Sequence, residues 1–155
     1  MKKLGLIFSI LMLVLVCSAP SVLAQGNAKT GPDQTTVRDP EMEKDAMHNL
    51  EVARHYFKLK KAYRAAIARC EEIIAGNPNF SRLDEVLYIA GESSYLLSEN
   101  KGKQAANLPP DKLREDARDY LSRLVKDFPD SSFRKQAESR LKNLGDAPKA
   151  VSRNQ

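Results

Sequence analysis

The feature that most constrains this chain is a pattern of residues that occurs twice with the same spacing. In each copy an alanine is followed by two larger residues on the same helical face, and then by a proline. The copies are Ala66, Cys70, Ile73, Pro78 and Ala117, Leu121, Leu124, Pro129. Because proline ends a helix and the other positions share one face of it, the pattern predicts a repeated unit of stacked helices.

Apolar residues at helical spacing surround both copies of the pattern. The first such segment, residues 40–58, starts with the capping pair Asp39-Pro40, and the second stops at Gly76 and Pro78. Further helices are predicted over residues 82–98, over a segment that ends before Pro129, and over residues 131–144. The predicted fold class is therefore all-α, with about five antiparallel helices.

Pairs of short helices with this spacing resemble tetratricopeptide repeats, which stack into a solenoid. Gly91 falls on the small-residue position of the first helix in the second repeat, where it would let two backbones approach closely. Gly91 and Ala117 are too far apart in the chain for a regular repeat. Residues 100–110, with Gly102 and the pair Pro109-Pro110, are therefore predicted to be an inserted loop.

Several phrases within residues 46–144 resemble the BamD family of outer-membrane protein assembly lipoproteins. They are Val52-Ala53-Arg54-His55-Tyr56-Phe57, Ala62-Tyr63-Arg64-Ala65-Ala66-Ile67-Ala68-Arg69, Asp84-Glu85-Val86-Leu87-Tyr88 and Phe128-Pro129-Asp130-Ser131. The resemblance implies a non-enzymatic scaffold that binds envelope proteins, including the BamA barrel and its complex. Two repeats and a closing helix would make it a shortened member. The alternative is a periplasmic tetratricopeptide adaptor for cell-wall synthesis or cell division.

The first residues predict export. Lys2 and Lys3 precede an apolar run over residues 4–16, which is too short to span a bilayer. The bulky Val16 before Cys17 disfavours lipidation, whereas Val22-Leu23-Ala24 favours ordinary cleavage, so that the mature chain would start at Gln25. The expected location is the periplasm, with peripheral association at the outer membrane.

Composition then divides the chain into four segments. We expect a signal peptide over residues 1–24, a flexible tether over 25–38, the repeat domain over 39–145 and a disordered tail over 146–155. Loss of Lys2 and Lys3 lowers the formal net charge from +5 to +3. Positive and negative residues alternate along the chain, which argues against a nucleic-acid partner.

No pattern for catalysis or metal binding stands out. Cys70 occupies a core position of the repeat, and no phosphate loop or hydrolase motif occurs, so the chain is not expected to be an enzyme or to bind a cofactor. His48 and His55 would lie about 10 Å apart along one helix, too far to share a zinc ion. We therefore expect no metal site.

Tetratricopeptide arrays bind partners on the surface formed by their first helices, and the resemblance places a partner-binding groove there. Its predicted residues are His48, Glu51, His55, Lys58, Tyr88, Glu92 and Tyr95. The alternative is that Tyr88 and Tyr95 pack on neighbouring helices. Four arginines on the second helices could meet anionic lipid or an acidic partner, or could simply be solvated: Arg64, Arg69, Arg118 and Arg123.

Overall fold

A computed structural model describes residues 38–145, which form five α-helices in the predicted order and contain no strand. The helices are α1 (Pro40–Arg54), α2 (Tyr63–Gly76), α3 (Leu83–Ser98), α4 (Pro110–Asp127) and α5 (Arg134–Leu144). Each helix packs on the next one in the chain. The predictions of an all-α class and a short solenoid are confirmed. The predicted signal peptide, the tail and the tether up to residue 37 lie outside the described residues.

The internal repeat is visible in the hydrogen bonds of two equivalent turns. The turn after α2 uses bonds from Asn77 N to Ile73 O, Phe80 N to Asn77 O and Leu83 N to Phe80 O. The turn after α4 uses Phe128 N to Leu124 O, Ser131 N to Phe128 O and Arg134 N to Ser131 O. The first bond measures 2.8 Å in one turn and 3.0 Å in the other. The same backbone path therefore follows Pro78 and Pro129, although few of the turn side chains match.

The core is centred on α3, which is buried along most of its length. Gly91 on α3 faces α4 so closely that a β-carbon there would lie 2.6 Å from Leu121 Cγ and 3.3 Å from the Ala117 carbonyl oxygen. Ala117 and Leu121 themselves are fully buried. The predicted role of Gly91, a close approach between paired helices, is therefore confirmed.

The end of the first helix differs from the prediction. Instead of one α-helix over 40–58, α1 ends at Arg54 and continues as a π-helical segment, His55–Lys60. The chain then turns at Lys61, which has a left-handed φ of 51°, and Ala62 N donates to Tyr56 O. The sequence did not indicate the π-helical turn, because the apolar spacing of residues 40–58 fits an ordinary α-helix and the i to i+5 bonding leaves no separate side-chain pattern in so short a segment.

The predicted insertion forms an ordered loop between α3 and α4. Lys103 N donates to Lys61 O at 2.9 Å, and the Gln104 side chain accepts a bond from Ala65 N at 3.1 Å. Beneath the loop, Tyr63, Leu97 and Leu113 form a small second apolar cluster. Within residues 38–145, no helix combines the length and apolarity that crossing a bilayer requires.

The contact at Gly91 predicts a stability difference between two glycine substitutions. Gly91→Ala should lower the free energy of unfolding by about 1–2 kcal/mol, because overpacking outweighs the gain in helix propensity. Gly76→Ala is the matched control, since a β-carbon at Gly76 meets nothing within 4 Å. Urea unfolding followed by circular dichroism measures both. Equal stability of the two variants would contradict the close-approach role of Gly91.

Candidate functional site

The predicted groove residues lie on two helices with different surroundings. We call the full set the first-helix face: His48, Glu51, His55, Lys58, Tyr88, Glu92 and Tyr95. The four residues on α1 and its π-helical extension are exposed, whereas Tyr88 and Tyr95 on α3 are half-buried and Glu92 is buried. The α1 part of this face is therefore exposed, whereas the α3 part offers two half-buried tyrosines and a buried glutamate.

The buried part of the face is held by Arg140, which comes from α5. Its guanidinium binds the Glu92 carboxylate with two bonds, of which the Nε to Oε2 bond measures 2.8 Å. The same guanidinium lies over the Tyr95 ring, with its carbon 3.9 Å from the ring centroid. A charge-assisted bidentate pair and a cation–π contact thus join α3 to α5. Glu92 is consequently engaged within the chain.

Tyr88 also packs on the α5 side of the fold. Its ring stacks on Phe133 with centroids 4.9 Å apart, and burial, with the nearby charge of Glu92, raises the pKa of its hydroxyl. The alternative expectation, in which the two tyrosines pack on neighbouring helices, describes their rings in this structure. Whether a partner also uses them is untested and stays a prediction.

A second ion pair links α1 to α3 on the same side of the module. Arg54 Nε and Nη2 each lie 2.6 Å from an oxygen of Glu85, and Arg82 adds a third bond at 2.7 Å. Burial alone would raise the pKa of the Glu85 carboxyl. The bond from Arg54, together with the positive charges around it, outweighs burial and holds that pKa below its usual range. Glu85 is therefore charged and fixed in place.

These ion pairs are the part of the site that sequence reasoning missed. Glu85 and Glu92 lie two helical turns apart on α3, and both are buried. Acidic residues on an otherwise buried helix signal buried partners, because an unpaired carboxylate is costly to bury. The sequence carried that signal but did not identify Arg54 and Arg140 as the partners.

Next to Tyr95 the face opens into a cleft of about 420 Å³. Arg114 and Glu99 form an ion pair of 2.9 Å in its wall. Arg118 donates to the carbonyl oxygens of Leu144 and Gly145, at the end of α5. The cleft thus places side chains of both charge signs beside an aromatic ring.

The remaining arginines of the second helices have modest surface roles. Arg69 pairs with Glu72 and Arg123 with Asp127, each within its own helix. Such exposed pairs contribute little to stability. Contact of these arginines with lipid or with an acidic partner stays a hypothesis.

The chemistry of the thiol agrees with its core position. Cys70 is fully buried, and burial, with smaller contributions from Glu71 and Glu85, raises the pKa of its thiol to about 12. Since the thiolate is the reactive form, this thiol is poorly suited to nucleophilic attack. Among residues 38–145, no cluster of three or more histidine, cysteine or acidic side chains is placed to hold a metal ion.

Comparison with known families identifies a match over most of the chain. Residues 33–147 match the family model YfiO, described as an outer membrane lipoprotein. YfiO is the BamD-type family, so this match confirms the resemblance drawn from the sequence. A comparison with curated proteins finds no match.

The two kinds of glutamate–arginine pair should differ in their contribution to stability. Glu92→Ala should lower the free energy of unfolding by about 2 kcal/mol, because it leaves the Arg140 guanidinium partly buried and unpaired. Glu138→Ala, which breaks the exposed pair with Arg134, is the matched control and should cost less than about 0.5 kcal/mol. Thermal unfolding compares them. A similar loss in both variants would show that the Glu92 pair does not hold α5 in place.

Proposed function

Because the chain belongs to the YfiO family of outer membrane lipoproteins, we propose that it is a non-enzymatic scaffold that binds other envelope proteins. The observation that carries the proposal is the first-helix face, in which exposed polar residues of α1 and its π-helical extension are joined through Arg54 to a wall built from α3 and α5. The wall is preorganised by two bidentate ion pairs, Arg54–Glu85 and Glu92–Arg140. Preorganisation lowers the entropy lost when a partner binds.

The partner contacts in this proposal are unequal along the face. The residues on α1 and its π-helical extension can contact a partner directly, because they are exposed: His48, Glu51, His55 and Lys58. Tyr88 and Tyr95 are half-buried, and contacts with Phe133 and Arg140 fix the positions of their rings. Fixed aromatic rings contribute contact area with little loss of side-chain entropy. We therefore assign initial recognition to α1 and the anchoring contacts to the tyrosines.

The proposed partners are proteins of outer-membrane assembly, including the BamA barrel. The alternative, an adaptor for cell-wall synthesis or cell division, would use the same fold. The two functions are distinguished by which proteins co-purify with the chain. The scaffold of an assembly complex should recover the barrel, whereas the adaptor should recover cell-wall enzymes and no barrel.

The first binding prediction concerns α1. Replacing His48, Glu51 and His55 with alanine should weaken capture of the barrel at least about tenfold, which corresponds to about 1.4 kcal/mol, while the melting temperature stays near that of wild type. The triple alanine variant of Asp119, Ser122 and Lys126 is the matched control, since these exposed residues lie on α4. Quantitative pull-down from envelope extracts measures the effect. Equal capture by both variants would exclude α1 as the recognition surface.

The second prediction concerns the start of the mature chain, which lies outside the described residues. Val16 is too bulky for the position before a lipidated cysteine, so the intact mass of the mature protein should correspond to a start at Gln25 without lipid. Mass spectrometry of the protein isolated from membranes and from periplasm measures this. A diacylated N-terminus at Cys17 would contradict it and would make the chain a lipoprotein in the family's ordinary sense.

A further inference from the structure

One end of the helical module carries a concentration of lysines around a single exposed leucine. We call this surface the lysine tip and define it as Lys58, Leu59, Lys60, Lys61, Lys101 and Lys103. All six residues are exposed. Leu59 has 71% of its surface accessible, the largest value among the big apolar side chains of the described residues.

The fold brings these residues together from two separate segments. The π-helical turn supplies the first four, and the inserted loop supplies Lys101 and Lys103. The backbone bond from Lys103 N to Lys61 O fixes the two segments side by side. Gly102 makes the approach possible, because its φ is +97° and a β-carbon there would lie 2.6 Å from the Tyr63 ring.

The positive charge of the tip is largely uncompensated. Among residues 38–145, none of its five lysines takes part in an ion pair, and Glu99, the acidic residue that starts the loop, is paired with Arg114. Only Lys58 is near enough to Glu85 to act on its charge. α1 and α3 end and α2 and α4 begin at this end of the module, and the end of α5 lies beside Glu99 and Asp111, so the helix dipoles add no net positive charge to the tip.

The composition of the tip favours a lipid surface over a protein partner. Protein interfaces are depleted in lysine and enriched in aromatic residues and arginine. Clustered lysines around a protruding apolar side chain instead suit an anionic bilayer, where the ammonium groups meet headgroup phosphates and the apolar group enters the interface.

We propose that the lysine tip binds the surface of an anionic bilayer, with Leu59 entering the interface between headgroups and acyl chains. The contact shares Lys58 with the first-helix face and leaves the six other residues of that face available to protein partners. It therefore holds or fails independently of the proposed scaffold function.

The test follows the environment of the tip in the mature protein as it is isolated from cells. A polarity-sensitive fluorophore is attached through Leu59→Cys, and Cys70 stays unlabelled because it is buried. The protein is mixed with phosphatidylcholine vesicles, or with vesicles containing about one third phosphatidylglycerol. The fluorophore should shift to the blue with the anionic vesicles only, and less so as salt is raised. A fluorophore attached through Lys135→Cys, at the start of α5 and therefore at the opposite end of the module, should not shift, whether or not an N-terminal lipid holds the protein to the vesicle.

Charge variants then test whether vesicle binding depends on the lysines of the tip or on the net charge of the whole protein. With the label in place, changing Lys60, Lys101 and Lys103 to glutamine should raise the anionic-lipid concentration for half-maximal shift about a hundredfold, or about fivefold for each lysine. The same change at Lys44, Lys126 and Lys135, which are also exposed and lie toward the opposite end of the module, removes equal charge elsewhere and should have little effect.

Three results would overturn the proposal. They are no shift with anionic vesicles, an equal loss in both triple variants, or a shift produced by soluble polyglutamate and not by vesicles. The last result would identify the tip as a site for an acidic protein segment. If the wild-type protein captured no barrel but still gave the vesicle response, that result would contradict the scaffold function alone.

Discussion

The structure depends on the close contact between α3 and α4 at Gly91. Because Gly91 has no β-carbon, Leu121 and the Ala117 carbonyl oxygen pack directly against the backbone of α3. α3 is in turn buried along most of its length. A buried central helix needs packing on every side. The chain supplies it with α2 and α4, which flank α3 in sequence, and with α1 and α5 through contacts between more distant segments.

The two buried glutamates of α3 explain how the outer helices are held. Glu85 pairs with Arg54 of α1, and Glu92 pairs with Arg140 of α5. An ion pair of this kind contributes limited net stability, because burying charge offsets much of the attraction. It does specify position, since the bidentate geometry is satisfied in one arrangement only. The same pairs build the wall of the first-helix face, so the features that fix the fold also shape the proposed binding surface.

The two ends of the helical module differ in the structure of their connecting segments. The turns after α2 and α4 are short and share one backbone path, and they close one end of the module. The other end carries the π-helical turn and the inserted loop, which depart from the repeat and collect the lysines. Departures from a regular repeat cost stability unless another interaction offsets them, and here the loop is tied down by Lys61, Ala65 and the Tyr63 cluster.

The sequence by itself determined the helices, their order and the family. Apolar spacing, proline stops and a repeated pattern are local properties, so the spacing alone assigns Ala66, Cys70, Ala117 and Leu121 to the core. The tertiary structure decided which polar residues meet. The sequence placed Glu92 in the groove, but in the structure its carboxylate pairs with Arg140. Pairing between residues nearly fifty positions apart depends on how the helices stack, which the sequence pattern does not show. The π-helical turn and the joining of Lys61 to Lys103 were also decided there, since helical periodicity does not encode backbone register or contacts between distant loops.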